Sequence, residues 1–314
     1  MALCTKIGII GCNHVGAHVA NAILYQGLAT EIYLSDLDDK LCRAQVNDLQ
    51  DAMSFYPQQA RVFECDDRYE ELAGCDIIVN AAGHVAAAAT DRDGELKLTV
   101  PEAKKFAKRI TDAGFKGVWV SVANPNDVIA TEIWQLTGCD PTRVIGSGTT
   151  LDSARFKHAL ADATGYDQAS INAWMLGEHG FSEFALWSHV RFGCLTPEEV
   201  ESQAGIAFDR DDLEMKAVKG GYITMAGKGC TEYSISNGTV KIVAAIVHDS
   251  KLITPVSTLL DNVYGMSGHY ASLPCVIGKD GVEKVFVPEM TDREVEKWQA
   301  SCKHIQDNIA KVSW

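Results

Sequence analysis

Three residues give this 314-residue chain its best opportunity for chemistry. His179 stands in Leu176-Gly177-Glu178-His179-Gly180, and Asp152 and Arg155 lie three apart in Gly148-Thr149-Thr150-Leu151-Asp152-Ser153-Ala154-Arg155. Histidine has the unperturbed pKa nearest neutrality, which suits proton exchange with a substrate. Flanking glycines disfavour regular structure and suit backbone that must pass close to a ligand. Taken alone, one histidine of nine reads as a turn residue, and the Asp152/Arg155 pair as a local ion pair worth about 0.3–0.5 kcal/mol. Taken together they supply most of what reduction of a 2-oxo acid needs. His179 donates or accepts the carbonyl proton, and a buried Asp152 fixes its tautomer and stabilises the imidazolium. Arg155 offers a fork of donors that matches a carboxylate, a geometry lysine cannot reproduce. The remaining requirement is a hydride source.

The first half has the elements to position one. Lys6-Ile7-Gly8-Ile9-Ile10 is an apolar run of the kind a buried parallel strand needs. It leads into the glycine turn Gly11-Cys12-Asn13-His14-Val15-Gly16, a helix with apolar spacing that Gly27 ends, and a second strand, Glu31-Ile32-Tyr33-Leu34-Ser35, closing on Asp36. This is the dinucleotide fingerprint in its required context. The turn brings backbone to the pyrophosphate at a helix N-terminus. Asp36, 20 residues beyond Gly16, accepts ribose hydroxyls and repels a 2′-phosphate, so NAD is expected over NADP. Asn13 replaces the middle glycine; asparagine tolerates the left-handed region, but its side chain holds the cofactor further off. His14 and His18, four apart, resemble a metal pair, but no third ligand is spaced nearby.

Further strands follow at 76–80, leading to Ala81-Ala82-Gly83, where small residues let a flat cofactor lie; at 118–122, ending on Val122 beside the cofactor and leading to Asn124-Pro125; and at 143–146. Alternation with helices implies an α/β fold, a doubly wound parallel sheet of the Rossmann type, with ligands outside the carboxyl ends of its strands. The second half mixes Gly220-Gly221, Gly227 and Gly229 with helical stretches such as 239–248, and 291–312 reads as a long amphipathic helix. The division expected is a dinucleotide-binding domain over 1–146 and an α+β substrate domain over 147–314.

Net charge is −14, which argues against nucleic acid or an anionic membrane as the main partner. No apolar run reaches membrane-spanning length, and the N-terminus lacks a signal-peptide layout, so a cytoplasmic location is expected. Ten scattered cysteines with no C-x-x-C read as reduced packing residues. Neither a disulfide framework nor a structural metal is expected.

Asn124-Pro125, the Gly148–Arg155 run and the His179 run, followed by Lys228-Gly229-Cys230-Thr231 and Ile277-Gly278, resemble in order and spacing the signatures of the lactate/malate dehydrogenase family through nearly the whole chain. The details look closest to its L-2-hydroxyisocaproate dehydrogenase branch. The resemblance implies that Arg92 polarises the substrate carbonyl from a loop that closes over the site. It also implies that Asn124 bonds near the substrate hydroxyl and nicotinamide, and that Asn124–Pro125 is a cis peptide. Ala86 falls on the family's discriminating loop position, where malate dehydrogenases carry arginine and lactate dehydrogenases usually glutamine. Alanine there leaves a second carboxylate without a partner and makes room for an aliphatic 2-oxo acid such as 2-oxoisocaproate. Tyr222, Thr231 and Ile235 are implied as the rest of the pocket wall. The family's sugar-bisphosphate site maps to Lys157 and Asn172, a pair expected to give little activation. A homo-oligomer, a tetramer, is implied as well. An L-lactate dehydrogenase is the alternative within enzymes; a non-catalytic NAD-binding or redox-sensing module is the alternative outside them.

Overall fold

The computed structural model describes residues 5–83 and 95–314. Six short segments form a parallel sheet: β1 (Lys6–Ile10), β2 (Glu31–Ser35), β3 (Arg61–Glu64), β4 (Ile77–Asn80), β5 (Val118–Ser121) and β6 (Val144–Gly146). Their spatial order is β3-β2-β1-β4-β5-β6, and every pairing among them is parallel. Parallel neighbours need long return connections. Among the described residues these include helices α1 (His14–Tyr25), α2 (Asp39–Ala52), α3 (Leu96–Asp112) and α4 (Asn126–Thr137). The doubly wound sheet expected from the sequence is present; the five strands expected have boundaries within a residue of those observed, and β3 at the sheet edge is not among them.

The second half comprises α5 (Thr150–Thr164), β7 (Ile171–Asn172), β8 (Met175–Leu176), β9 (Phe184–Ala185), β10 (Arg191–Phe192), α6 (Pro197–Ala204), α7 (Arg210–Lys228), α8 (Tyr233–Val247), β11 (Leu252–Leu259), β12 (Tyr270–Gly278), β13 (Gly281–Val285) and α9 (Asp292–Ile309). β7 pairs with β10 and β8 with β9 in two small antiparallel sheets. β11 instead lies antiparallel to β6, with Ser257 opposite Gly146. β12 and β13 continue outward from it, so one nine-stranded sheet carries strands from both halves of the chain.

Both faces of the inner parallel strands are buried, and the pleat divides their side chains between two cores. Ile7, Ile9, Ile77, Val79, Val118 and Val120 pack with Val19 and Ile23 of α1 and Val240 and Val243 of α8. Ile78 and Trp119 face the other way, into a core shared with Phe106 of α3, Ile133 of α4 and Trp298 of α9. A third core, around Phe156, Met175, Phe192 and Leu213, holds α5 against the small sheets and α7. Capping fixes several helix starts: Asp38 accepts from Lys40 and Leu41 at the head of α2, and Thr291 and Glu294 form a reciprocal box at the head of α9. Gly220, Gly221 and Gly227 lie inside α7, and Gly229 caps it with φ +83°. No described helix is long and apolar enough to cross a membrane.

Candidate active site

Asp152 sits in the first turn of α5, with no exposed surface. The start of that helix is tied to the strands around it. Thr149 donates its hydroxyl to the Met175 carbonyl at 2.6 Å and its N–H to Ser272 Oγ at 3.0 Å. β8 delivers the histidine: beyond Leu176 the chain turns through Gly177, at φ +90°. A Cβ at Gly177 would fall 2.4 Å from Ser301 Oγ of α9, so the backbone's close approach here is to a neighbouring helix and not to a ligand. The Ser301 hydroxyl then accepts the Glu178 N–H at 2.8 Å.

His179 Nδ1 lies 2.5 Å from Asp152 Oδ2, and Arg155 Nη1 donates to Asp152 Oδ1 at 2.8 Å. Burial alone would raise the Asp152 carboxyl, but the charge of His179, its hydrogen bond and the Arg155 guanidinium outweigh it, so the carboxyl is held below its usual range. With Nδ1 engaged by Asp152, Nε2 of His179 is the nitrogen available to a substrate. Arg155 spends one nitrogen on Asp152 and keeps the rest of its fork.

His179, Arg155 and Asn124 line one cleft with Tyr222, Thr231, Ile235, Val15 and Val122. The side chains expected to meet substrate and nicotinamide, scattered through the sequence, are thus brought to one place. Asn124–Pro125 is cis. Ala81, Ala82 and Gly83 follow β4 at its carboxyl end. Arg92 and Ala86 lie outside the described residues, with the loop expected to carry them.

The glycine turn fits a dinucleotide. Gly11 has φ +88° and a Cβ there would stand 2.6 Å from the Ala81 carbonyl oxygen, while a Cβ on Gly16 would overlap the Gly11 carbonyl. The two glycines therefore let the turn pack directly against the end of β4 and let α1 start against the turn's own backbone, the close strand–helix packing that the fingerprint needs. The N-terminus of α1 has no side-chain cap and no acid in its first turn, so its N–H groups are presented to an anion. Asp36 lies against this turn, accepting the Cys12 N–H at 2.6 Å and the Asp38 N–H at 3.0 Å. Asn13 needs no left-handed tolerance: its φ is −80°. Asparagine's tolerance of the left-handed region, expected from the sequence, thus plays no part here, and only the bulk of its exposed side chain differs from glycine.

Several positioning groups were not singled out from sequence. Asn126, at the head of α4, donates to the Ser121 and Ala123 carbonyls, and its Oδ1 accepts the Gly148 N–H at 2.9 Å, locking the cis turn to the α5 approach. Asp127, 1% exposed, accepts the backbone N–H of His179 at 2.8 Å and the Ser257 hydroxyl at 2.5 Å. Burial raises its carboxyl to about 7. Glu178, also on the cleft, lies 3.4 Å from His304 Nε2 and accepts the Ser182 hydroxyl. The only signal for Asp127 and Asn126 in sequence was adjacency to Asn124-Pro125.

Comparison with known proteins agrees with this geometry. Residues 5–146 match the family model of the lactate/malate dehydrogenase NAD binding domain, and residues 149–313 match the lactate/malate dehydrogenase alpha/beta C-terminal domain. An L-lactate dehydrogenase of Fusobacterium nucleatum is 34% identical over 302 residues, covering 95% of this chain and 93% of that one. An L-lactate dehydrogenase of Latilactobacillus sakei is 31% identical over 314 residues, covering 98% and 94%. Among solved structures, the minor L-lactate dehydrogenase from Enterococcus mundtii superposes with a TM-score of 0.93 at 28% identity over 99% of both chains. NAD is the cofactor that the first domain binds.

Proposed function

The chain belongs to the lactate/malate dehydrogenase family, and we propose that this dehydrogenase interconverts a 2-oxo acid and its L-2-hydroxy acid, with pyruvate and L-lactate as the first pair. The observation that carries the reading is the His179–Asp152–Arg155 constellation on the cleft that the glycine turn feeds. A mere binder of NAD has no use for a buried carboxylate behind a proton-donating imidazole.

When bound, the reduced nicotinamide supplies a hydride to the carbonyl carbon. Arg155 holds the substrate carboxylate with the donors that Asp152 leaves free. Protonated His179 gives its Nε2 proton to the carbonyl oxygen, and Asp152 steadies the imidazolium through Nδ1 and then holds the neutral tautomer. Arg92 is assigned the polarisation of the carbonyl on the family resemblance alone. In the oxidation direction His179 takes the hydroxyl proton back.

The substrate reading rests on the relatives, which bear the name L-lactate dehydrogenase. A second reading, an aliphatic acid such as 2-oxoisocaproate, rests on Ala86 and on the apolar faces of Tyr222, Met225 and Ile235 along the cleft. Oxaloacetate is disfavoured under both: among the described cleft residues Arg155 is the one guanidinium, and it is committed to the first carboxylate. NADH consumption with pyruvate, 2-oxoisocaproate and oxaloacetate decides the matter. Preference for pyruvate supports the first reading and preference for the branched acid the second. A higher kcat/KM for oxaloacetate overturns both, and no turnover on any acid leaves an NAD-binding module. A cytoplasmic homotetramer is proposed on the same resemblance, with mass in solution as its check.

A further inference from the structure

His14 opens α1 and His18 follows one turn later, a pair for which the neighbouring sequence offers no third donor. The fold brings donors from more than 200 residues away. The loop between α7 and α8 sets Cys230 and Glu232 against the first turn of α1. One donor atom from each of His14, Cys230 and Glu232 lies within 4.8 Å of the others. His14 Nδ1 and Glu232 Oε2 are 3.3 Å apart. Two ligands of a tetrahedral zinc, each at about 2.0–2.1 Å, stand roughly 3.4 Å from one another, so this edge of the site is already at its bound length.

We propose that His14, Cys230 and Glu232 form a site for one thiophilic divalent cation, Zn2+ first, which staples α1 to the α7–α8 loop across the mouth of the cofactor cleft. The donor chemistry selects the ion. One sulfur, one imidazole nitrogen and one carboxylate oxygen suit zinc or cobalt, whereas calcium and magnesium ask for oxygen alone. Three protein ligands leave a fourth position for water.

The surrounding groups are compatible with this role. The Cys230 thiol is 4% exposed and makes no hydrogen bond among the described residues, so nothing must be displaced from the sulfur. Glu232 divides its oxygens: Lys228 Nζ holds Oε1 at 2.7 Å, and Oε2 faces His14 and, at 3.6 Å, His18. Lys228 Nζ also lies over the Tyr233 ring, 3.7 Å from its centroid. His18 directs Nδ1 to the His14 carbonyl at 2.7 Å, fixing the helix turn beneath the site instead of competing for the ion. On binding an ion the Cys230 thiol gives its proton to solvent and coordinates as the thiolate, one proton per ion bound.

The consequence rests on the dinucleotide reading of the cleft. Val15 on one side and Cys230 and Thr231 on the other line the same opening. An ion that ties them together occupies the approach to the N-terminus of α1, where the pyrophosphate must sit. Zn2+ and NADH therefore exclude one another.

The test separates metal binding from dehydrogenase activity. Apo protein is titrated with Co2+ and with Zn2+, reading the sulfur-to-cobalt charge-transfer absorption, ion stoichiometry and proton release. One ion per chain is expected, with thiolate absorption and one proton from the thiol. Cys230→Ser should abolish the absorption, and Glu232→Gln should weaken binding roughly tenfold or more. His158→Ala, at an exposed pair on α5, should change neither. Equal binding by wild type and both site variants, or absence of the sulfur band, overturns the site. NADH fluorescence titrations with and without Zn2+ supply the second arm: a competitive rise in NADH Kd, reversed by chelator, is expected. Unchanged NADH affinity with the ion bound overturns the exclusion, and a chain that fails to turn over any acid leaves the metal titration untouched.

Discussion

The Nδ1 atom of His179 stands 2.5 Å from Oδ2 of Asp152, a carboxylate with no exposed surface. A buried charge in this position stabilises the imidazolium and holds the ring with Nε2 toward the cleft. Asp152→Asn keeps the shape and removes the charge. It should lower kcat for reduction by about 10²–10⁴-fold while leaving NADH affinity nearly intact, since Asp152 touches none of the glycine turn. Steady-state rates beside NADH fluorescence titration check this. Turnover near wild type would remove Asp152 from the mechanism.

Arg155 packs against a glycine inside a helix, a position where glycine is a poor helix former. Gly220 lies inside α7, and a Cβ there would come within 3.1 Å of Arg155 Cδ. The absent methyl lets the guanidinium stem lie against the helix. Gly220→Ala should raise helix propensity by up to about 1 kcal/mol and yet raise KM for the 2-oxo acid severalfold, because the stem must shift. Arg155→Lys should act in the same direction more strongly, as the fork is lost. A Gly220→Ala enzyme with unchanged KM would mean that Arg155 is not held by this contact.

What sequence made legible was local. β1, the glycine turn, α1 and β2 declare themselves through two-faced apolar strands, turn glycines and an acid at fixed spacing, and Asp152 and Arg155 are three apart on one helix. What it hid was long-range. Ser257 pairing with Gly146 extends the sheet into the second half, yet neither residue announces a partner. Gly220 and Gly221 read in sequence only as glycines among helical stretches, and they lie inside one continuous helix, α7. His14 lacked a third ligand only because Cys230 and Glu232 are remote in the chain. Asp127 was visible only as a neighbour of Asn124-Pro125, since its bond is to the backbone of His179 and carries no sequence pattern.

Asp127 links the catalytic loop to pH. Its carboxyl is raised by burial to about 7, so the folded chain binds that proton more tightly than the unfolded chain. The stability it contributes is complete below pH 4 and is lost as pH rises toward 7, by up to about 1.4 kcal/mol per pH unit. Asp127→Asn removes the titration and keeps an oxygen for the His179 N–H. Its unfolding free energy should vary less between pH 4 and 7 than that of the wild type. Denaturant titrations at three pH values measure it; parallel pH curves for the two proteins would refute the burial of a titrating Asp127.

Glu132 poses the same question where no catalytic role competes for the answer. It lies in α4 with no exposed surface, and neither carboxylate oxygen has a hydrogen-bond partner among the described residues. Burial raises its pKa to about 8, against a smaller opposing pull from Lys104. The raised value fixes the sign: the proton favours the folded state, and stability falls as pH climbs from near 4.5 through 8. Even the neutral acid leaves polar atoms unsatisfied, at a cost of about 1–3 kcal/mol. Glu132→Leu removes both penalties while keeping most of the volume, so the variant should melt higher than wild type, with a margin that widens from pH 5 to pH 8. Glu132→Gln separates the two causes, because it loses the titration but keeps the polar atoms. It should match the flat pH response of the leucine variant while gaining less at pH 5. Calorimetry of the three proteins at both pH values gives the comparison, and a leucine variant that melts lower at pH 8 would show that the Glu132 carboxylate stabilises the fold.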